Sequence, residues 1–183
     1  RSSFGLGSIN VAIIGVGNCA SALVQGVHKY QATSNGSKIP GLMHPVLGEY
    51  GVGDINFVGA FDIAKGKVGL DLSEAVFAPP NNTVKFQDVE HLGLTVQRGM
   101  THDGVGKYMS EVITKAPGPT DDIAGILRDR EVDVVVNYLP VGSEEATRWY
   151  AEQVLAVGAG FVNCIPVFIA SGEGNYWQNR FKE

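Results

Sequence analysis

A glycine-rich loop close to the start of the chain has the spacing that lets backbone amides approach a phosphate group. The loop, Gly15-Val16-Gly17-Asn18-Cys19-Ala20, follows the apolar run Ile9–Ile14 and precedes a stretch with apolar residues at helical spacing. Gly15 would make the tight turn after the strand, Gly17 would let the backbone approach a pyrophosphate, and Ala20 would let the helix pack on the strand. The positive end of that helix would face the phosphates, although a turn whose glycines serve only packing is the competing interpretation. The residues assigned to this site are Gly15, Val16, Gly17, Asn18 and Cys19.

Asp62 follows the second strand-like run, residues 56–61, and places a carboxylate where the adenosine ribose of a dinucleotide would lie. A negative charge there accepts hydrogen bonds from ribose hydroxyls and repels a 2′-phosphate, which favours NAD over NADP. The expected gap from the glycine loop is about 20 residues, whereas here it is 62 − 15 = 47. A long inserted loop at residues 31–53 accounts for the excess. The alternative interpretation of Asp62 is a solvated turn aspartate.

A third motif, Asn137-Tyr138-Leu139-Pro140-Val141-Gly142-Ser143, lies past the carboxyl end of the strongest strand-like run, residues 132–137. Loops at that edge of an open α/β sheet line the ligand crevice. Pro140 and Gly142 would fix an irregular backbone against the nicotinamide ribose. Asn163-Cys164-Ile165-Pro166 occupies the equivalent position after the following strand. A plain strand-to-helix connection is the alternative for both motifs.

The elements that must position these motifs alternate between strand and helix along the whole chain. This alternation predicts an α/β fold of the Rossmann type, a doubly wound parallel sheet with helices on both faces. The predicted strands are residues 9–14, 56–61, 95–98, 132–137 and 161–164. The predicted helices are residues 18–30, 64–71, 72–77, 121–130, 144–157 and 175–183. Caps are expected from Thr120 or Asp121 and from Ser143, and Gly158 is expected to end the helix at residues 144–157.

Composition and charge exclude several classes of protein. The 183 residues carry a net charge of −5 with no basic block, which is unlike a nucleic-acid-binding face. No apolar run reaches the roughly 18 residues that a membrane span needs, so we expect neither nucleic acid nor membrane as a partner. The four histidines show no metal-ligand spacing, and no metal site is expected. Cys19 and Cys164 are expected to be free thiols of a cytoplasmic protein.

The order of the motifs resembles that of the myo-inositol-1-phosphate synthases (inositol-3-phosphate synthases) of the actinobacterial and archaeal type. The resemblance runs from about Ile9 to Ser171. The most specific stretches are Val11-Ala12-Ile13-Ile14-Gly15-Val16-Gly17-Asn18-Cys19-Ala20-Ser21, Asn137-Tyr138-Leu139-Pro140-Val141-Gly142-Ser143-Glu144-Glu145-Ala146 and Phe161-Val162-Asn163-Cys164-Ile165-Pro166-Val167-Phe168-Ile169-Ala170-Ser171. Shorter matches are Pro40-Gly41-Leu42-Met43-His44, Ala60-Phe61-Asp62-Ile63, Val68-Gly69-Leu70-Asp71-Leu72-Ser73 and Gln97-Arg98-Gly99.

The resemblance implies an enzyme that converts D-glucose 6-phosphate to 1L-myo-inositol 1-phosphate with NAD as its cofactor. The implied steps are oxidation, enolisation, intramolecular aldol cyclisation and reduction, so the net reaction is an isomerisation in inositol and phospholipid biosynthesis. A cytoplasmic homotetramer is implied for the full-length enzyme. The residues that would contact or border NAD by this resemblance are Gly15, Val16, Gly17, Asn18, Asp62, Asp71, Tyr138, Pro140, Tyr150 and Asn163, and Leu139 is assigned with them because it lies in the same motif.

In this family the catalytic lysines and the sugar-phosphate site lie in the second half of the enzyme, so no residue of this chain is assigned as catalytic. The lysines here are scattered, and only Lys107 is expected to reach the crevice. We expect residues 1–8 to be a flexible segment and residues 9–183 to be an NAD-binding Rossmann domain, truncated before the catalytic and tetramerisation domain. The alternatives are a different NAD-dependent dehydrogenase and a non-catalytic nucleotide-binding domain.

Overall fold

Five parallel strands form the sheet at the centre of the computed structural model, which describes residues 7–31, 39–171 and 173–183. In chain order the strands are β1 (Ile9–Ile14), β2 (Val46–Leu47), β3 (Tyr50–Gly51), β4 (Ile55–Asp62), β5 (Gln97–Arg98), β6 (Val134–Asn137) and β7 (Gly160–Asn163). The sheet has the order β5-β4-β1-β6-β7, and every neighbouring pair in it is parallel. β2 and β3 form a separate antiparallel ribbon. The predicted parallel sheet is confirmed.

Helices cover both faces of this sheet, as the sequence predicts. They are α1 (Asn18–Tyr30), α2 (Leu72–Ala75), α3 (Lys107–Val112), α4 (Ile123–Asp129), α5 (Glu144–Val157) and α6 (Tyr176–Arg180). Successive side chains of a strand point to opposite faces. Ile14 of β1 therefore packs in one core with Leu127 of α4 and Val154 of α5, while Ile13 packs in a second core with Val24 of α1. Burial on both faces explains why β1 is apolar along most of its length.

The carboxyl ends of the strands meet at one edge of the sheet. The last residue of β1, Ile14, is level with Phe61 of β4 and with Asn137 of β6, and Asn137 is level with Asn163 of β7. In the sheet, β4 lies on one side of β1, and β6, which comes later in the chain, lies on the other side. The strand order thus reverses beside β1, which is where open α/β sheets bind their ligands.

Some predicted helices and caps are wrong. Residues 64–71 form turns rather than a helix, and α2 is shorter than the predicted 72–77. The cap of α4 is Asp122, whose carboxylate accepts the Gly125 N–H at 3.0 Å, not Thr120 or Asp121. Ser143 makes no side-chain cap of α5. Gly158 does end α5 in the left-handed conformation, with φ of 71°, as predicted.

The inserted segment before β4 is partly ordered into short elements. Residues 46–51 form the β2–β3 ribbon, and a 3-10 turn at Val52–Asp54 leads into β4. Residues 32–38 of this insertion and residues 1–6 of the predicted flexible segment lie outside the described residues.

Candidate cofactor-binding cleft

A cleft of about 420 Å³ opens at the carboxyl edge of the sheet. This volume lies within the usual range of small-molecule sites. It brings together most of the residues assigned from the sequence, which are Gly15, Gly17, Asn18, Asp62, Tyr138, Leu139, Pro140 and Tyr150. It is also lined by residues that were not assigned, among them Lys67, Asn81, Met100, Asp103 and Ser143.

The two glycines of the loop between β1 and α1 have different structural roles. Gly15 has a φ of 85°, and a Cβ there would lie 2.8 Å from the Tyr138 carbonyl oxygen, so only glycine fits without strain. Gly17 has an ordinary φ of −91°, and a Cβ there would meet no atom within 4 Å. The space beside Gly17 is therefore open to a ligand that approaches the backbone.

The first turn of α1 presents free amides to this space. Gly17 is the N-cap residue and, as a glycine, has no side chain that could cap the helix. The Asn18 side chain instead bonds the loop on the far side of the helix start, where Asn82 N–H donates to Asn18 Oδ1 at 2.9 Å. Free N–H groups and a positive helix end are the features that bind phosphate.

The peptide groups of Val16 are held on both sides. Its N–H donates to Asp62 Oδ2 at 2.7 Å, and its carbonyl accepts from Lys67 Nζ at 2.6 Å and from Asn81 Nδ2 at 3.1 Å. Lys67 Nζ also donates to Asn81 Oδ1 at 2.7 Å. The Lys67 side chain is only 3% exposed. Burial lowers the pKa of Lys67, and the neighbouring Asp62 opposes that shift.

Asp62 is fixed by backbone amides before any ligand enters. Besides the Val16 N–H, its Oδ1 accepts the N–H groups of Ile63 at 2.7 Å and Ala64 at 2.8 Å. A carboxylate has about four lone-pair sites, so one site remains on Oδ2. That site is sufficient for one ribose hydroxyl.

The opposite wall of the cleft comes from the loop after β6 and from α5. The Leu139 N–H donates to Asn137 Oδ1 at 3.1 Å, which fixes the start of this loop. The Tyr150 hydroxyl accepts the Met100 N–H at 2.9 Å. Burial raises the pKa of Tyr150, so the hydroxyl keeps its proton at neutral pH. Burial also raises the pKa of Tyr138, which remains a neutral phenol against the cleft.

Asp103 caps α5 from a distant loop. Its carboxylate accepts the N–H groups of Glu145 at 2.7 Å and Ala146 at 3.0 Å. Burial raises the pKa of Asp103, but these hydrogen bonds outweigh it and hold the pKa below its usual value. The Ser143 hydroxyl, expected to be the cap, instead lies against Gly104, where a Cβ would clash with it. An aspartate therefore occupies the positive end of α5.

Four of the assigned residues do not line the cleft. Val16 is buried in the core beneath the loop, and Cys19 is exposed. The Asp71 carboxylate accepts from Ser73 N–H at 3.0 Å and Leu94 N–H at 2.7 Å, which makes it the cap of α2. Asn163 donates to the carbonyls of Ile165 at 3.2 Å and Val167 at 3.0 Å. Their assignment to NAD stays a prediction, since these structural roles account for Asp71 and Asn163 without a ligand.

Lys67 is one of the residues of the cleft that the sequence did not reveal. We expected no lysine other than Lys107 to reach the crevice, and this expectation about Lys67 was wrong. The side chain of Lys107 lies outside the described residues. The turn at residues 64–71 carries Lys67 back under the glycine loop, and only the tertiary structure shows this approach. The one signal in the sequence was its position five residues after Asp62.

The described residues contain neither a cluster of metal-ligating side chains nor a membrane-spanning helix. Within them, no group of three or more His, Cys, Asp or Glu side chains is arranged to hold a metal ion. No helix among them is long and apolar enough to cross a membrane.

Comparison with curated proteins confirms the resemblance found in the sequence. The inositol-3-phosphate synthase of Mycolicibacterium smegmatis is 51% identical over 177 residues, which are 97% of this chain and 48% of that protein. The enzymes of that name from Mycobacterium tuberculosis and Corynebacterium glutamicum are 49% and 46% identical, each over 96% of this chain and 47% and 48% of theirs. The chain thus spans about half the length of these relatives, and the matching half is the N-terminal one. No family model matches the chain.

Solved structures give the same fold. The crystal structure of Ari2 superposes with a TM-score of 0.78 at 32% identity, covering 95% of this chain and 51% of that one. A myo-inositol-1-phosphate synthase-related protein from Thermotoga maritima superposes with a TM-score of 0.63 at 21% identity over 95% of this chain and 50% of its own. The second similarity supports the fold alone.

Proposed function

Because this chain is a relative of the inositol-3-phosphate synthases and matches their N-terminal half over nearly its whole length, we propose that it binds NAD for such an enzyme. One observation carries the proposal. The space beside Gly17, at the start of α1, is open, and the Asp62 carboxylate lines the same cleft as Gly17. This is the arrangement that a dinucleotide needs, with its pyrophosphate at the helix and its ribose at the acid.

Three groups of residues in the cleft would contact three different parts of the cofactor. The amides of Gly17 and of the first turn of α1 would bind the pyrophosphate. The remaining acceptor site of Asp62 would take an adenosine ribose hydroxyl, and its charge would disfavour the 2′-phosphate of NADP. Tyr138, Leu139 and Pro140 would lie against the nicotinamide side. When bound, NAD would supply a group that accepts and returns a hydride.

For the full-length protein we propose the isomerisation of D-glucose 6-phosphate to 1L-myo-inositol 1-phosphate by oxidation, enolisation, intramolecular aldol cyclisation and reduction. The names and the identity of the relatives support this reaction. We further propose that the full-length enzyme is a homotetramer, and that it is cytoplasmic. The two cysteines support the second point, because both are free and exposed, as in a reducing compartment.

The chain's own residues supply binding and orientation rather than the proton transfers. Ring closure needs a general base and cations for the oxyanion and the substrate phosphate. Among the described residues that line the cleft, Lys67 is the cationic side chain. Two of its donors are already bonded to Val16 and Asn81. We therefore propose that the sugar and the acid–base groups belong to the other half of the enzyme.

Isothermal titration of the chain with NAD tests the proposed binding function. We expect saturable binding of one NAD per chain, and weaker binding of NADP. ATP serves as a control ligand, because it carries adenosine and phosphates but no nicotinamide ribose to contact the loop after β6. Absence of NAD binding by the folded chain would contradict the proposal.

A further inference from the structure

The carbonyl group of Val16, in the glycine loop, accepts hydrogen bonds from two side chains. It accepts from a buried ammonium, Lys67 Nζ at 2.6 Å, and from the Asn81 amide at 3.1 Å. The two side chains are also bonded to each other at 2.7 Å, and Asn81 Nδ2 donates to the Val76 carbonyl at 2.9 Å. The pair is thereby anchored to the residue that follows α2 and has little freedom to move. Burying a lysine is costly, so this placement calls for a reason beyond packing.

The direction of the Val16 carbonyl determines the direction of the next amide. The Val16–Gly17 peptide is trans, since the one cis peptide among the described residues is Pro79–Pro80. In a planar trans peptide the C=O and the following N–H point to opposite sides. With the carbonyl turned toward Lys67 and Asn81, the Gly17 N–H must point away from them. No acceptor among the described residues receives it.

Gly17 itself lines the cleft and has open space around it. We therefore propose that Lys67 and Asn81 are positioning residues for the pyrophosphate of the cofactor: they lock the Val16–Gly17 peptide so that the Gly17 amide faces the phosphates. This inference rests on the proposed NAD binding. Although Lys67 and Asn81 line the cleft, they act on the phosphates through the Val16–Gly17 peptide and take no part in proton transfer.

The lock also places a positive charge directly behind the amide that meets the anion. The ammonium lies on the carbonyl side of the peptide, and burial keeps it away from solvent ions that would screen it. Its charge polarises the peptide in the sense that strengthens the Gly17 N–H as a donor. Both effects act on a phosphate, whereas adenosine would be affected by Lys67 only through the electrostatic interaction of Lys67 with Asp62.

The test compares a ligand that contains a pyrophosphate with one that lacks phosphate. NMR titrations of the wild-type chain and of Lys67→Met with ADP-ribose and with adenosine give the four affinities. We expect Lys67→Met to lower the affinity for ADP-ribose by about 10- to 100-fold, the range of one charged hydrogen bond. The affinity for adenosine should change by less than about twofold. Lys65→Met is the matched control, because Lys65 is exposed, two residues away and carries the same charge; it should change neither ligand. Equal losses for both ligands, or an unchanged ADP-ribose affinity, would overturn the inference.

Two further measurements keep the test independent of how well Lys67→Met folds. Asn81→Ala removes one donor to the Val16 carbonyl but keeps the Lys67 ammonium. The affinity for ADP-ribose should therefore fall several-fold, while the affinity for adenosine is unaffected. In the wild-type chain, the Gly17 amide resonance should move downfield with ADP-ribose and stay in place with adenosine. An immobile Gly17 resonance at saturating ADP-ribose would overturn the inference and leave the proposed NAD binding intact. Failure of the wild-type chain to bind ADP-ribose at all would contradict the proposed function as well.

Discussion

Replacing Gly17 by valine should strongly weaken NAD binding while the domain stays folded. A Cβ at this position meets no protein atom within 4 Å, and the φ of −91° suits any residue. Removing glycine's freedom in the unfolded chain stabilises by about 0.4–1 kcal/mol, and losing a favourable N-cap residue costs a similar amount. The two terms offset, so the melting temperature should stay within about 4 °C of the wild-type value.

The effect of this substitution on binding is much larger. The valine side chain would fill the space that a pyrophosphate needs, and it would separate the phosphate from the loop amides. Loss of one charge-assisted hydrogen bond costs about 1.5–3 kcal/mol, which is about a 10- to 150-fold loss of affinity. Isothermal titration with NAD measures this loss, and thermal unfolding without ligand measures the stability.

Two other glycines serve as controls. Gly26 lies within α1 with no atom near its Cβ position. Gly26→Ala should raise the stability by about 1 kcal/mol and leave NAD affinity unchanged. Gly15→Ala should lower the melting temperature, because its Cβ would lie 2.8 Å from the Tyr138 carbonyl oxygen and its φ is 85°. A Gly17→Val variant with near-normal NAD affinity would refute the assignment of this loop to phosphate binding.

Two other predictions concern single residues, and a third concerns the isolated chain. Asp62→Ala should relax the preference for NAD over NADP by about 1–3 kcal/mol in paired titrations. It should also lower the melting temperature, because three N–H groups lose their acceptor. Tighter binding of NADP than of NAD by the wild-type chain would contradict this role of Asp62. Burial raises the pKa of Asp71, but hydrogen bonds from Ser73, Leu92 and Leu94 outweigh it and hold the pKa below its usual value. The Asp71 carboxylate thus stabilises the fold above about pH 4. Asp71→Asn should therefore lower the free energy of unfolding by about 2–3 kcal/mol at pH 7, and by progressively less as pH falls through the lowered pKa. A loss of stability that does not depend on pH in denaturant unfolding would be inconsistent with a charged cap. The isolated chain should make no inositol phosphate from glucose 6-phosphate and NAD, and turnover above background would show that catalytic groups lie within these residues.

The sheet was predictable because its central strands carry a strong local signal. β1 and β6 are buried on both faces, so each is a short apolar run next to a turn. Gly158 ended α5 as predicted, because a left-handed residue at a helix end strongly favours glycine. The glycine loop and Asp62 followed from the same local patterns, and the cleft contains both of them.

The remaining features depend on partners that are far away in sequence. Residues 64–71 have helical spacing but form turns, because Lys65 N–H donates to the Thr114 carbonyl and Gly69 N–H to the Val96 carbonyl. Ser143 has the right residue type for a cap, yet the cap of α5 is Asp103, 43 residues before Ala146. Lys67 meets Val16 across 51 residues. No local pattern specifies any of these pairings.

A crystal structure of the chain with NAD tests the central claim most directly. It should place the pyrophosphate against Gly17 and the first turn of α1, with an adenosine ribose hydroxyl on Asp62 Oδ2 and the nicotinamide beside Tyr138 and Pro140. NAD bound elsewhere on the chain, or bound here with its phosphates away from Gly17, would contradict the account.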